Sequence, residues 1–86
     1  MEIIISPTAQ ADINYWKLKH QVKILKRIDI LLEDILSHPY SGIGNPEQLK
    51  YELTGLWSRR INKEHRLVYR IKNKDIIEVV TLRFHY

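Results

Sequence analysis

The spacing of apolar residues changes once along the chain, and the change falls at residues 39–46, "PYSGIGNP". Before this stretch apolar residues recur at helical intervals; after it they alternate as in strands. The stretch holds two of the three prolines and two of the three glycines, the composition of a loop. A chain that places its helices first and most of its strands afterwards is held to an α+β design. Each layer then has one apolar face to bury against the other.

The local signals fill in that outline. Residues 2–5, "EIII", read as a short strand, and Ser6-Pro7 supplies an N-cap followed by proline at the first helical position. Ala9, Ile13 and Trp16 fall at i, i+4 and i+7, a stripe that runs to about Leu18. From Val22 to Ser37 the pattern is wider: Ile24, Ile28, Leu31 and Ile35 are flanked by Leu25, Leu32 and Leu36. His38-Pro39 ends that helix, because a residue before proline avoids the helical region. Beyond the loop, residues 49–62, "LKYELTGLWSRRIN", read as a hairpin turning near Thr54-Gly55. "HRLVYRI" is a further strand, "KNKD" a tight turn, and "IIEVVTLRFH" a strand rich in β-branched residues. The expectation is one α+β domain over residues 1–86, a mostly antiparallel twisted sheet with two N-terminal helices packed on one face.

Composition narrows the chemistry. The 86 residues are 44% hydrophobic and 28% charged, as in an ordinary globular chain, and lack the signature of disorder. There is no cysteine, which excludes a disulfide framework, a thiolate metal site and a cysteine nucleophile. With no basic leader and no apolar span, the expected home is a reducing cytoplasm, away from membranes. The net charge of +4 lies entirely in the second half, since residues 1–46 carry five basic and five acidic residues and residues 47–86 carry nine and five. A basic half suits a polyanion, because neutralising phosphates releases counterions.

Strand alternation sorts the basic half. Leu67, Tyr69 and Ile71 share one face, so Arg66 and Arg70 take the other, away from the helices. In the last strand Ile77, Val79, Thr81, Arg83 and His85 share a face. Antiparallel pairing through "KNKD" brings Arg66 opposite the region of His85. Of the four histidines, His20 and His38 sit at helix ends and suit capping. His65 has no ligand set around it and is expected to pack or hydrogen-bond on the inner face with Tyr69. His85 is the one placed to titrate near neutrality and shuttle a proton. Glu47, at the end of the loop, supplies a second group. A carboxylate, an arginine and a histidine are the parts for RNA transesterification, in which a base takes the 2′-hydroxyl proton, a cation holds the developing charge, and an acid protonates the leaving 5′-oxygen.

The residues "NPEQLK", "LTGLWSRRINKEHRLVYRI" and the ending "RFHY" together closely resemble the YoeB/Txe branch of the RelE-like toxins of bacterial type II toxin–antitoxin systems. The resemblance implies a RelE/ParE-like fold and a ribosome-dependent endoribonuclease that cuts messenger RNA in the A site of the 70S ribosome, with no metal or other cofactor. It implies Glu47 as general base, Arg66 as the phosphate-stabilising cation, His85 as general acid and Tyr86 as a residue that stacks on or orients the substrate base. Lys50, Arg59, Arg60 and Arg83 would hold messenger or ribosomal RNA. The implied partner is a YefM/Phd-type antitoxin, through which the complex would reach DNA only indirectly, and the family includes homodimers. The loop "GIGNPE" lacks lysines that family members carry there, and Phe84 stands where tyrosine is common. Two other readings compete: a ParE-like, non-catalytic inhibitor of DNA gyrase, and a plain RNA-binding module. The joint presence of Glu47, Arg66 and the His85-Tyr86 ending favours cleavage.

Overall fold

Ser6 starts the first helix as its position before Pro7 requires. In the computed structural model, which describes residues 1–84, the Ser6 hydroxyl accepts the Ala9 N–H at 3.0 Å at the head of α1 (Pro7–Leu18). This helix follows β1 (Glu2–Ile5) and leads through His20, at φ 54°, into α2 (Val22–Ser37). The long helix buries Ile28, Leu31 and Ile35, the stripe predicted from spacing. After the loop come β2 (Glu47–Gln48), β3 (Trp57–Arg60), β4 (Arg66–Asn73) and β5 (Ile76–Phe84).

Among the described residues the five strands form one sheet in the order β1-β5-β4-β3-β2. Strand β1 runs parallel to β5, and every other pairing is antiparallel. The two helices therefore carry the chain from one edge of the sheet to the other. Between the layers lies a core of Ala9, Trp16, Leu31, Leu67, Tyr69, Ile77 and Leu82, among others. The expected α+β fold is the observed one.

Two details differ from expectation. The first strand of the 49–62 hairpin lies earlier, at Glu47–Gln48, paired with Ser58 and Trp57. Residues Tyr51–Leu53 coil instead into one turn of 3-10 helix. The turn forms because Leu49 N–H already closes the loop on Leu56 O, at 2.9 Å, and Tyr51 then adopts φ 58°.

The second difference is in β5. Tyr69 faces Val79, Val68 faces Thr81, and Arg66 faces Phe84, so β5 gains a residue on β4 at two successive steps. Strict alternation stops at Thr81: Leu82 enters the core, and Arg83 is exposed rather than continuing the Ile77-Val79-Thr81 face. Helix α1 makes this bulge tenable. Ser6 Oγ donates to Val80 O at 2.8 Å, and Trp16 Nε1 donates to Leu82 O at 3.0 Å. The Asp12 carboxylate accepts from Thr81 Oγ1 at 2.7 Å and from Leu82 N at 3.0 Å. A bulge takes peptide groups out of the ladder, and buried ones must find other partners. Replacing Asp12 by alanine leaves a buried donor, Leu82 N–H, and a part-buried one, Thr81 Oγ1, unsatisfied, so urea unfolding should show a loss of about 2–3 kcal/mol. Asp12→Asn, which keeps an acceptor oxygen, should lose clearly less.

Candidate functional site

The sheet face without helices is assembled by strand register. Residues directly opposite on antiparallel strands share a face. Glu47 on β2 is opposite Ser58 on β3, and Ser58 is opposite Val68 on β4. Two residues along β3, Arg60 is opposite Arg66, which is in turn opposite Phe84. Leu67 and Tyr69 belong to the core under the helices, so Ser58, Val68, Arg60, Arg66 and Glu47 lie on the other side. From strand spacing, Glu47 and Arg66 are roughly 12 Å apart at Cα on this face. Glu47, Lys50 and Arg60 are exposed, and Arg66 is half-buried. His85 and Tyr86 lie outside the described residues.

Arg59 does not join this face. It is 0% exposed and uses its guanidinium as a structural clasp. Nε donates to Tyr69 Oη at 3.2 Å, Nη1 to Asp34 Oδ2 at 2.5 Å and to Ile43 O at 3.0 Å, and Nη2 to His38 O and to Ser41 O at 2.7 Å. Five donors are satisfied, and no cation is left to meet RNA. Alternation along β3 is the reason, since Arg59 shares a side with the helix-facing Trp57 and Ile61 while Arg60 takes the opposite one.

The clasp fixes the loop that delivers Glu47. Asp34 also accepts the Ile43 N–H at 3.0 Å, Tyr69 Oη donates to Pro39 O at 2.7 Å, and Tyr40 packs on Trp57 with ring centres 5.3 Å apart. Gly44 O then accepts the Arg60 N–H at 2.7 Å, which ties the end of the loop to β3. Gly42, at φ +109°, has no room for a side chain, because a Cβ there would stand 2.0 Å from Asp34 Oδ2. Arg59, followed by the Ile43 amide, holds the Asp34 carboxyl below its ordinary 3.8. Burial raises the Tyr69 hydroxyl above its ordinary 10.0, against the pull of Arg59, so it remains a proton donor.

Other expected residues also find places. The exposed Arg83 guanidinium lies 3.8 Å from the centre of the Tyr15 ring on α1, a cation–π contact. His38 caps α2, with its N–H on Asp34 O, and His20 sits in the turn after α1. His65 stands edge-on to Trp16, with ring centres 4.9 Å apart. Among the described residues no cluster of histidine and acidic side chains is arranged to hold a metal, and no helix is long and apolar enough to cross a membrane. Asp12 and Asp34, which organise the bulge and the loop, were missed. Each carried a sequence signal, as an acid set beside an apolar stripe, at Ala9-Ile13-Trp16 and at Leu31-Ile35.

A family described as "YoeB-like toxin of bacterial type II toxin-antitoxin system" matches residues 5–86. The chain belongs to this family. It is 51% identical over 71 residues to a Toxin YoeB of Synechocystis, covering 83% of this chain and 81% of that one. To a Toxin YoeB of Escherichia coli K12 it is 40% identical over 86 residues, the whole of both chains. Among solved structures, a YoeB/ParE toxin from Agrobacterium tumefaciens superimposes with a TM-score of 0.93 at 34% identity over all of both chains. The YoeB dimer from Staphylococcus aureus gives 0.90 at 41% identity, covering 100% of this chain and 98% of that one. A heterotetrameric YoeB–YefM complex from the same organism gives 0.87 at the same identity and the same coverage.

The Arg59 clasp makes stability depend on acid in a defined direction. A carboxyl lowered in the folded state stabilises fully above its unfolded value and loses that contribution as pH falls through the folded value. The stability gap between wild type and Asp34→Asn should stay constant above about pH 5 and close below 3.8. Arg59→Met, which strands three loop carbonyls, should cost at least about 2 kcal/mol in chemical unfolding.

Proposed function

We propose that this chain, as a single toxin domain, is a ribosome-dependent endoribonuclease that cuts messenger RNA in the ribosomal A site by acid–base transesterification. The observation that carries the reading is the strand register. It gathers Glu47, Arg60 and Arg66 on the helix-free face of a YoeB-family fold, with Phe84 opposite Arg66 and His85 and Tyr86 next in sequence.

In the proposed reaction Glu47 takes the proton from a ribose 2′-hydroxyl. The freed oxygen bonds to phosphorus, and the bond from phosphorus to the 5′-oxygen breaks. Arg66 balances charge on the phosphoryl oxygens, and His85 gives its proton to the leaving 5′-oxygen. The products are a 2′,3′-cyclic phosphate and a 5′-hydroxyl. Tyr86 orients the adjoining base, while Lys50, Arg60 and Arg83 hold backbone phosphates; Arg59 acts from inside the fold. A YefM-type antitoxin is the proposed neutralising partner, by likeness to the Staphylococcus aureus complex, and self-association has a precedent in the dimer from that organism. The cytoplasm, where ribosomes and messenger are found, is the proposed site of action.

Primer extension on messenger incubated with ribosomes, with and without the protein, is the direct test. A cut at the A-site codon that requires ribosomes is the expected result, and no cut would overturn the reading. Glu47→Gln and His85→Ala should each lower the single-turnover rate by at least about 100-fold while ribosome binding persists. Loss of binding in Glu47→Gln would make that residue a docking contact.

A further inference from the structure

Beside Glu47 the chain forms a groove of about 440 Å³ lined by Glu47, Gln48, Leu49, Lys50, Tyr51 and Leu53. Tyr51 is its most unusual member. Its residue surface is 91% exposed, and its backbone takes φ 58°. Bulky side chains rarely adopt this left-handed region, where glycine and asparagine are the usual occupants. The conformation is enforced from outside: Thr54 Oγ1 donates to Tyr51 O at 2.6 Å, Thr54 N–H donates to it at 3.1 Å, and Leu53 N–H closes on Lys50 O at 3.1 Å. Among the described residues the Tyr51 ring and hydroxyl make no hydrogen bond, ion pair or ring contact. Packing therefore does not account for an aromatic ring held in water at a strained position, and strain of this kind gathers at ligand clamps.

We propose that Tyr51 is a stacking platform for a nucleobase of the RNA strand, setting which phosphodiester comes to rest over Glu47. The inference rests on the nuclease reading above and adds a contact to it. Charge argues for this occupant, since Lys50 lies at the groove itself and Arg60 and Arg66 follow along the sheet face that carries Glu47. Shape argues for a flat heterocycle, because Leu49 and Leu53 wall the groove beside the ring. Every base has a π-face, so stacking here fixes affinity and register more than base identity.

The test compares wild type with Tyr51→Ala, Tyr51→Phe and Tyr51→Gly in cleavage of a defined messenger on programmed ribosomes. The thermal midpoint and the affinity for a YefM-type antitoxin are measured alongside. Tyr51→Ala and Tyr51→Gly should lose about ten-fold or more in cleavage and spread their cuts over neighbouring phosphodiesters, while Tyr51→Phe keeps rate and position. Tyr51→Gly should hold a midpoint at or above wild type, since φ 58° suits glycine; a loss of cleavage in that variant is then not a loss of fold. Wild-type rate and cut position in Tyr51→Ala would overturn the platform and leave the nuclease reading standing. Antitoxin affinity that falls while cleavage is unchanged would assign Tyr51 to a protein contact and also overturn it. No cutting by the wild type would overturn the nuclease reading itself, and the platform with it.

Discussion

A single guanidinium holds three parts of this protein together. Arg59 leaves β3, meets Tyr69 on β4 and Asp34 on α2, and takes up carbonyls at residues 38, 41 and 43 of the loop between helix and sheet. A buried cation without partners would be intolerable, and a loop of eight residues rich in glycine would by itself have no fixed path. Each deficiency is met by the other. The arginine finds its acceptors only in the folded loop, and the loop becomes a rigid arm that ends at Glu47.

The outline of the fold was legible because local signals agreed with global ones. Ser6-Pro7 and His38-Pro39 marked helix ends that the structure keeps, and apolar spacing found the faces that the helices bury. What was not legible came from distant partners. The bulge in β5 is stabilised by Asp12, which is 70 positions from Leu82 in the sequence, and nothing near Thr81 announces it. Arg59 and Arg60 show a different failure: identical neighbours with opposite roles, distinguishable by applying alternation to β3 from Trp57 onward. The 3-10 turn at Tyr51 was hidden because its residues also suit a strand, and only closure of Leu49 on Leu56 decides against one.

Charge along the chain also means something different once folded. The apparent neutrality of residues 1–46 conceals a segregation, with Lys17, Lys19, Lys23, Lys26 and Arg27 around the helix turn and Asp29, Glu33 and Asp34 further along α2. Arg27 Nη2 lies 3.4 Å from Arg60 O. Arg27 thus reaches the backbone at the end of β3, and Asp34, one of the acids, is turned toward Arg59.

The parallel pairing of β1 with β5 has a consequence in time. Ile3 lies beside Ile77, and β5 stands between β1 and β4 in the sheet. During synthesis β1 and α1 emerge first, yet β5, the strand that joins them to the sheet, follows β2, β3 and β4 in the chain. Contacts so far apart in sequence form late and close slowly. Until β5 is in place, Leu82 cannot fill the core beside Trp16, and α1 has no carbonyl for its indole. The half of the sheet that carries Glu47 and Arg66, β2 to β4, is tied to α2 by Arg59 without β5, whereas β1 and α1 reach it only through β5.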